Sequence, residues 1–280
     1  MAKAVASIVG YIFDPLDPRA PSSEIWEKMT PAEREQVVAM LPPQVPAELS
    51  PPEGDFHRKA KETAVDALEN YFRRVGRKVY ISSEIGVYYP GEPRFAPDVL
   101  AVLDVDPHER SSWVVTAEDK GLDFVLEVHV SGDFSKDHEK NVERYARLGI
   151  GEYFLFDRTR GSLYGYRLPP SGRRAYERIV PQLGRYTSGV LGLDLALIQG
   201  KLRFLAGDAT LPQTEELLHR LGLMLDDVMS HKDDLERQLA EERAGREAER
   251  AAKEAERAAK EAAEAKLAEA LALIEKLQKS

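Results

Sequence analysis

Apolar positions along this chain change period several times, and each change marks an element. From Gly54 onward Ala60, Ala64, Ala67, Leu68, Tyr71 and Phe72 recur at three- and four-residue spacing, which predicts one helix with one apolar face, ended by Gly76. The period then drops to that of strands. Val79 to Ile81, Ile85 to Tyr89, Phe95 to Leu103 and Phe124 to Val130 are short runs rich in β-branched and aromatic residues, with Pro90-Gly91 as a turn between the second and third. Ser135 to Leu148 returns to helical spacing with Gly149 just past its end. Tyr153 to Phe156 and Leu163 to Arg167 follow as a strand pair around a turn near Arg158 to Gly161. Leu191 to Leu205 adds two strands around Gln199-Gly200, and Asp208 to Leu223 begins another helix. Helix, strands, helix and strands in this order predict an α/β fold with a mixed sheet flanked by helices, not an all-β barrel.

The ends of the chain read differently. Ala4 to Phe13 is apolar but too short to span a bilayer, and no small-residue cleavage site follows, so it is read as a strand or a hydrophobic arm. Proline punctuates residues 1–55, and Thr30-Pro31-Ala32-Glu33 has the form of a capping box that opens a short helix to about Met40. From about Asp233 the composition shifts to Ala, Glu, Arg and Lys. Ala244, Ala248, Ala251, Ala255, Ala258, Ala262 and Ala265 alternate four- and three-residue steps, and Leu267, Leu271, Ile274 and Leu277 extend the apolar character. This is a heptad seam, open to two readings: a solvated single helix, or a coiled coil that pairs with itself or with a partner helix. The expected organisation is a proline-rich arm with a short helix over 1–55, a globular domain over 56–206, a linker helix over 207–232 and a coiled coil over 233–280.

Charge and cysteine content narrow the chemistry. The 280 residues carry 48 acids against 39 bases, a net charge of −9, so bulk electrostatic attraction does not draw this chain to nucleic acid. Any such contact needs a local basic patch or metal ions at the phosphates. With no cysteine there is neither a disulfide framework nor a thiolate zinc site, and a reducing cytoplasm is the simplest location. No segment has the length and apolarity of a membrane span.

Three places carry candidate chemistry. In Phe124-Val125-Leu126-Glu127-Val128-His129-Val130 the strand period puts Glu127 and His129 on one face, opposite the aliphatic side chains. An acid within so apolar a strand needs a partner: a metal ion, or an ion pair with no chemistry. Asp98 opens the run Val99 to Leu103, where it is either a turn residue after Pro97 or a second carboxylate laid beside Glu127. Two carboxylates and water suit a hard cation such as Mg²⁺. In the following helix Lys140 is either a solvated lysine or a cation reaching back toward Glu127.

Taken together, Pro97-Asp98, Glu127-Val128, Ser131, Asp137 with Lys140, Tyr145, Gly149, Glu152-Tyr153-Phe154 and Asp157 resemble the Uma-type restriction-endonuclease family of the PD-(D/E)XK superfamily. The resemblance runs from about Phe56 to Leu168, and the upstream helix beginning near His57 and Ser83-Glu84 fit it too. It implies a restriction-endonuclease-like core that hydrolyses DNA phosphodiesters with Mg²⁺ or Mn²⁺. Asp98 and Glu127 match the metal ligands, and Glu84 an auxiliary acid. The superfamily places a lysine two residues after the second acid; here that position is His129, so either His129 or Lys140 takes the role. Two other readings stand beside this one: a degenerate nuclease fold that binds DNA or a partner, and an assembly protein acting through its tail. Tyr145 is expected in the core and Asp157 as the cap of the turn after its strand.

Overall fold

The computed structural model describes residues 7–43, 45–46, 54–130 and 136–278. Ser131, Pro51, Pro52 and the last two residues lie outside these, and the side chains of Lys136, Asp137, Ile274 and Leu277 are likewise not described. The chain divides into two units, Met1–Thr214 and Glu215–Ser280.

The first unit opens with a small antiparallel hairpin, β1 (Ser7–Ile8) and β2 (Tyr11–Ile12), followed by α1 (Ser23–Glu27) and α2 (Pro31–Met40). The capping box of α2 is complete: Thr30 Oγ1 accepts from the Glu33 N–H, and the Glu33 carboxylate accepts from the Thr30 N–H at 2.8 Å. α3 (Asp55–Val75) ends on Gly76 at φ +73°, a left-handed conformation that glycine adopts without a Cβ clash. Next come β3 (Val79–Ser82), β4 (Gly86–Tyr88), β5 (Val99–Leu103), β6 (Ser112–Val114), the short α4 (Val115–Glu118) and β7 (Phe124–His129). A π-helical turn, Lys136–Lys140, leads into α5 (Asn141–Leu148), which is followed by β8 (Glu152–Asp157), β9 (Ser162–Arg167) and β10 (Glu177–Arg178). The unit closes with β11 (Arg185–Ser188), β12 (Leu193–Ile198), β13 (Lys201–Ala206) and β14 (Ala209–Thr210).

The central sheet has the order β10-β9-β8-β7-β5-β3 and is mixed. β7 and β8 are parallel, joined by the α5 crossover, while the other neighbours are antiparallel. A second, antiparallel sheet has the order β11-β12-β13-β14, and β4 and β6 form a short parallel pair. The central strands β5, β7 and β8 read as continuous apolar runs because both faces of the sheet are covered. One face carries Val99, Phe124, Leu126 and Phe154 against Leu68 and Phe72 of α3 and Leu195 and Phe204 of the second sheet. The other carries Leu100, Val125, Tyr153 and Leu155 with Tyr80, Trp113 and Tyr145. The expected α/β architecture with a mixed sheet and flanking helices is the one observed.

The second unit is the body of one long helix, α6 (Thr214–Gln278). It starts six residues after Asp208, not at Asp208 as the pattern suggested. Gly207 turns at φ +59°, Ala209–Thr210 pairs with β13, and the residue before Pro212 is held extended. The helix runs unbroken through Asp233, where the composition changes. Leu218, Leu221, Leu225, Val228, Leu235 and Leu239 repeat in alternating three- and four-residue steps, with Lys232 the polar residue in that stripe. Among the described residues no helix is long and apolar enough to cross a membrane.

Candidate active site

Asp98 and Glu127 meet at one end of the central sheet. Val99 of β5 pairs with Leu126 of β7 in antiparallel register, so one step further Asp98 lies opposite Glu127. The Asp98 N–H donates to Glu127 Oε2 at 3.3 Å. Each carboxylate is then fixed from another side. Asp98 Oδ2 accepts from the Val128 N–H at 2.7 Å, and from His57 Nε2 at 3.0 Å. A carboxylate can only accept, so the Nε2 of this buried His57 carries the proton. Glu127 Oε1 accepts from the Tyr145 hydroxyl at 2.6 Å.

Tyr145 is the buried core residue expected from its position in α5, and its hydroxyl end serves the site. Its ring lies 5.1 Å from Tyr153 and 5.5 Å from Phe95. Burial, and next the negative charge of Glu127, push its phenol well above the usual tyrosine range. The hydroxyl therefore stays protonated and remains a donor to Glu127.

Glu84 joins from the loop between β3 and β4. Its backbone is left-handed at φ +55°, and its N–H is held by the Pro97 carbonyl at 3.0 Å. Left-handed backbone is uncommon for a residue with a Cβ, and such conformations concentrate at functional sites. Its carboxylate forms an ion pair with Lys61, whose Nζ is also 3.8 Å from Asp98 Oδ1. Lys61 is only 7% exposed, against 15% for Asp98 and 40% for Glu84.

Lys61 is not among the residues the sequence pattern singled out, and His57 enters there only as the start of a helix. Both lie on α3, where the buried positions are His57, Lys61, Ala64, Ala67, Leu68 and Phe72. Positions 57, 61, 64, 68 and 72 are one stripe at helical spacing, so the two polar residues extend the apolar face toward the sheet end that holds the acids. A histidine and a lysine in line with a core stripe are the signal that marks them.

The other candidates fall as follows. His129 is buried and lies on the same face of β7 as Glu127, at the position paired with Asp157. Lys140 is exposed at the end of the π-helical turn, and among the described residues no ion pair joins it to Asp98 or Glu127. Asp157 caps its turn as expected, accepting from the Arg160 N–H at 2.9 Å.

The donor set suits a small hard cation. Asp98 and Glu127 offer carboxylate oxygens from adjacent strands, and Mg²⁺ binds through one or two carboxylates while keeping several waters. Among the described residues no group of three or more His, Asp or Glu is arranged to hold a metal, so water and substrate oxygens would complete such a shell.

Residues 45–199 match the family described as "Uma2: Putative restriction endonuclease". A comparison with curated proteins returns no match. Among solved structures, one described as a putative nuclease belonging to DUF820, from Anabaena variabilis ATCC 29413, shares 16% identity, covering 47% of this chain and 73% of that one with a TM-score of 0.36. The family match takes in Glu84, Asp98, Glu127, His129 and Lys140 together with His57 and Lys61, and spans more than half of the 280 residues: this chain belongs to the Uma2 family.

Proposed function

We propose that this protein is a metal-dependent endonuclease that hydrolyses DNA phosphodiester bonds, with Asp98 and Glu127 as the ligands of Mg²⁺ or Mn²⁺. The observation that carries the reading is the pairing of these two carboxylates across β5 and β7, each oriented by buried donors, in a chain of the Uma2 family. A bound ion supplies charge stabilisation at the scissile phosphate and lowers the pKa of a bound water. The chain's own contribution is orientation. The Val128 N–H and His57 fix the Asp98 carboxylate, and Tyr145 fixes that of Glu127, so the ligands need little rearrangement when a cation arrives. Glu84 serves as an auxiliary acid, and His129 fills the face beside Glu127 where the superfamily has lysine.

The test is incubation of supercoiled plasmid, linear duplex, single-stranded DNA and RNA with the full-length protein in Mg²⁺, Mn²⁺ or EDTA. Nicking or linearisation that needs the metal and favours DNA is the expected result. A second reading, a degenerate nuclease fold that only binds DNA, is favoured by one observation, the imidazole of His129 in the lysine position. Metal binding without cleavage of any substrate would select it.

The C-terminal helix is proposed to pair with a second copy of itself. Support comes from the alternating stripe of Leu218, Leu221, Leu225, Val228, Leu235 and Leu239; the same steps then meet Glu242, Arg246, Glu249 and Lys253, and the alanine seam from Ala244 runs two positions out of that register. Sedimentation of the full chain is expected to give a dimer, which would let two sites address two strands. A monomer at micromolar concentration would remove this part of the proposal.

A further inference from the structure

A chain with a net charge of −9 needs local cations where DNA phosphates lie, and two arginines beside the acids meet that need. Arg144 lies on α5, next to the Tyr145 that donates to Glu127. Its guanidinium rests 4.5 Å over the Phe95 ring, which packs on Tyr145 at 5.5 Å, and donates to the Pro93 carbonyl. Arg158 follows β8. Its N–H donates to the carbonyl of His129, two residues beyond Glu127, at 2.9 Å. Its guanidinium donates to the Phe56 carbonyl at 2.9 Å and lies 4.8 Å over the Phe56 ring, which is 66% exposed. The next residue on α3 is His57, the donor to Asp98. Since α3 and α5 cover opposite faces of the central sheet, one guanidinium flanks the acids on each side.

Neighbouring arginines are held differently. Arg147 pairs with Glu92 at 3.1 Å, Arg160 with Asp157 at 3.2 Å and Arg167 with Glu152 at 3.2 Å. Among the described residues Arg144 and Arg158 make no ion pair within 4.0 Å; a ring and one backbone carbonyl hold each in place. Burial lowers the pKa of Arg144 from the usual arginine value, and the fields of Glu92 and Glu127 offset this only in part. A guanidinium stacked on a ring has its plane fixed in advance, and one carbonyl bond leaves most of its donor fork open. That fork matches a phosphate group bidentately.

We propose that Arg144 and Arg158 form a two-sided seat for the DNA backbone, each gripping a phosphate next to the one held at Asp98 and Glu127. The inference rests on the nuclease reading of those acids. It places the local positive charge at the two edges of the site, on side chains whose orientation is set before DNA arrives.

The experiment has two arms, both on the full-length protein. In the first, anisotropy of a short labelled duplex is followed against KCl concentration in Ca²⁺, a hard cation that takes the same oxygen ligands. Wild type is compared with Arg144→Gln, Arg158→Gln and the double variant; glutamine keeps an N–H for the carbonyl and drops the charge. In the second, wild type is treated with the arginine reagent phenylglyoxal, with and without duplex, and the modified residues are read by mass spectrometry.

Each single variant is expected to bind roughly fivefold more weakly, with the slope of log affinity against log salt shallower by about 0.9, and by about twice that in the double variant. The duplex shields Arg144 and Arg158 from the reagent, while Arg34, which stacks on Trp26 at 5.4 Å and donates to its carbonyl, reacts as before. An arginine that only packs would lower the fraction of active protein and leave the slope alone. Unchanged slopes in folded variants overturn the proposal. Where a variant does not fold, the footprint decides, and equal reactivity with and without duplex overturns it. A wild type that binds no duplex overturns the DNA reading of the site itself.

Discussion

Glu127→Gln and Asp98→Asn are each expected to lower Mg²⁺-dependent cleavage by roughly 1,000-fold while leaving the fold in place. The reasoning runs from charge, not shape. Either amide is nearly isosteric with its carboxylate, and the oxygen that remains can still accept from its partner. Glu127 accepts from the Tyr145 hydroxyl on Oε1 and from the Asp98 N–H on Oε2, so its amide keeps one of these two, while Asp98 accepts from the Val128 N–H and His57 Nε2 both on Oδ2. What disappears is one negative ligand to a hard cation, and metal-borne charge stabilisation of a phosphoryl transition state is worth several kcal/mol, which at 1.36 kcal/mol per decade is about three decades of rate. The acids are crowded, so losing one carboxylate also relieves repulsion, and the thermal midpoint should change little. The check is single-turnover cleavage of a labelled duplex at saturating Mg²⁺, with the melting curve recorded alongside. Cleavage within tenfold of wild type in either variant would mean that the reaction happens elsewhere.

Which parts of this site were legible in the sequence follows from how each residue is positioned. Glu127 stands out because a carboxylate interrupts an apolar strand, and strand period alone ties it to His129. Asp98 is visible through its place at the start of the neighbouring run, although nothing in the sequence gives the antiparallel register that sets it opposite Glu127. His57 and Lys61 escaped because α3 was read by its apolar positions, while the same stripe continues through them toward the acids. Lys140 is a candidate, beside His129, through its short chain distance from Glu127, and it is exposed at the end of the π-helical turn, whereas Lys61 reaches the site from 37 residues before Asp98 in the chain. Tertiary ion pairs of that kind have no local signature.

The fold shows the same division. Elements with a clear period, α3, β7 and β8, appear where the pattern placed them, the strands because both faces of the central sheet are buried and they had to be apolar throughout; the helix expected over Ser135 to Leu148 keeps its end at Gly149, but α5 begins only at Asn141 and Lys136–Lys140 is a π-helical turn, Ser135 lying outside the described residues. Short elements such as α1, β6, α4 and β10 carry too few residues to establish a period, and tertiary pairing defines them. The start of α6 was misplaced by six residues because β14 is a two-residue strand whose only sequence marks are Gly207 and Pro212.

Glu152 shows how a motif residue can hold structure instead of chemistry. It belongs to the Glu152-Tyr153-Phe154 run that helped suggest the family, yet it lies at the start of β8, on the far end of that strand from Asp157 and His129. It is 3% exposed. Its carboxylate accepts from the Ser188 hydroxyl and from the Gly189 N–H at 2.9 Å and forms an ion pair with Arg167 at 3.2 Å, so one side chain of the central sheet satisfies the end of β11 in the second sheet. Removing the carboxylate leaves the Ser188 hydroxyl and the Gly189 N–H without their acceptor, about 2–4 kcal/mol together at about 1–3 kcal/mol per unsatisfied donor, while Arg167, 40% exposed, turns to water. Glu152→Ala is therefore expected to destabilise the chain by about that amount, lowering the thermal midpoint by roughly 10 °C for a unit of this size. Glu152→Gln keeps one acceptor oxygen and should lose distinctly less, and Ser188→Ala, which removes a single donor, less again. Urea unfolding of the three variants gives the ranking directly. Near-equal stability of Glu152→Ala and wild type would mean that the two sheets are held by apolar packing alone, through Leu191, Leu193 and Leu195, and would return Glu152 to the list of residues whose place in the motif needs a functional reason.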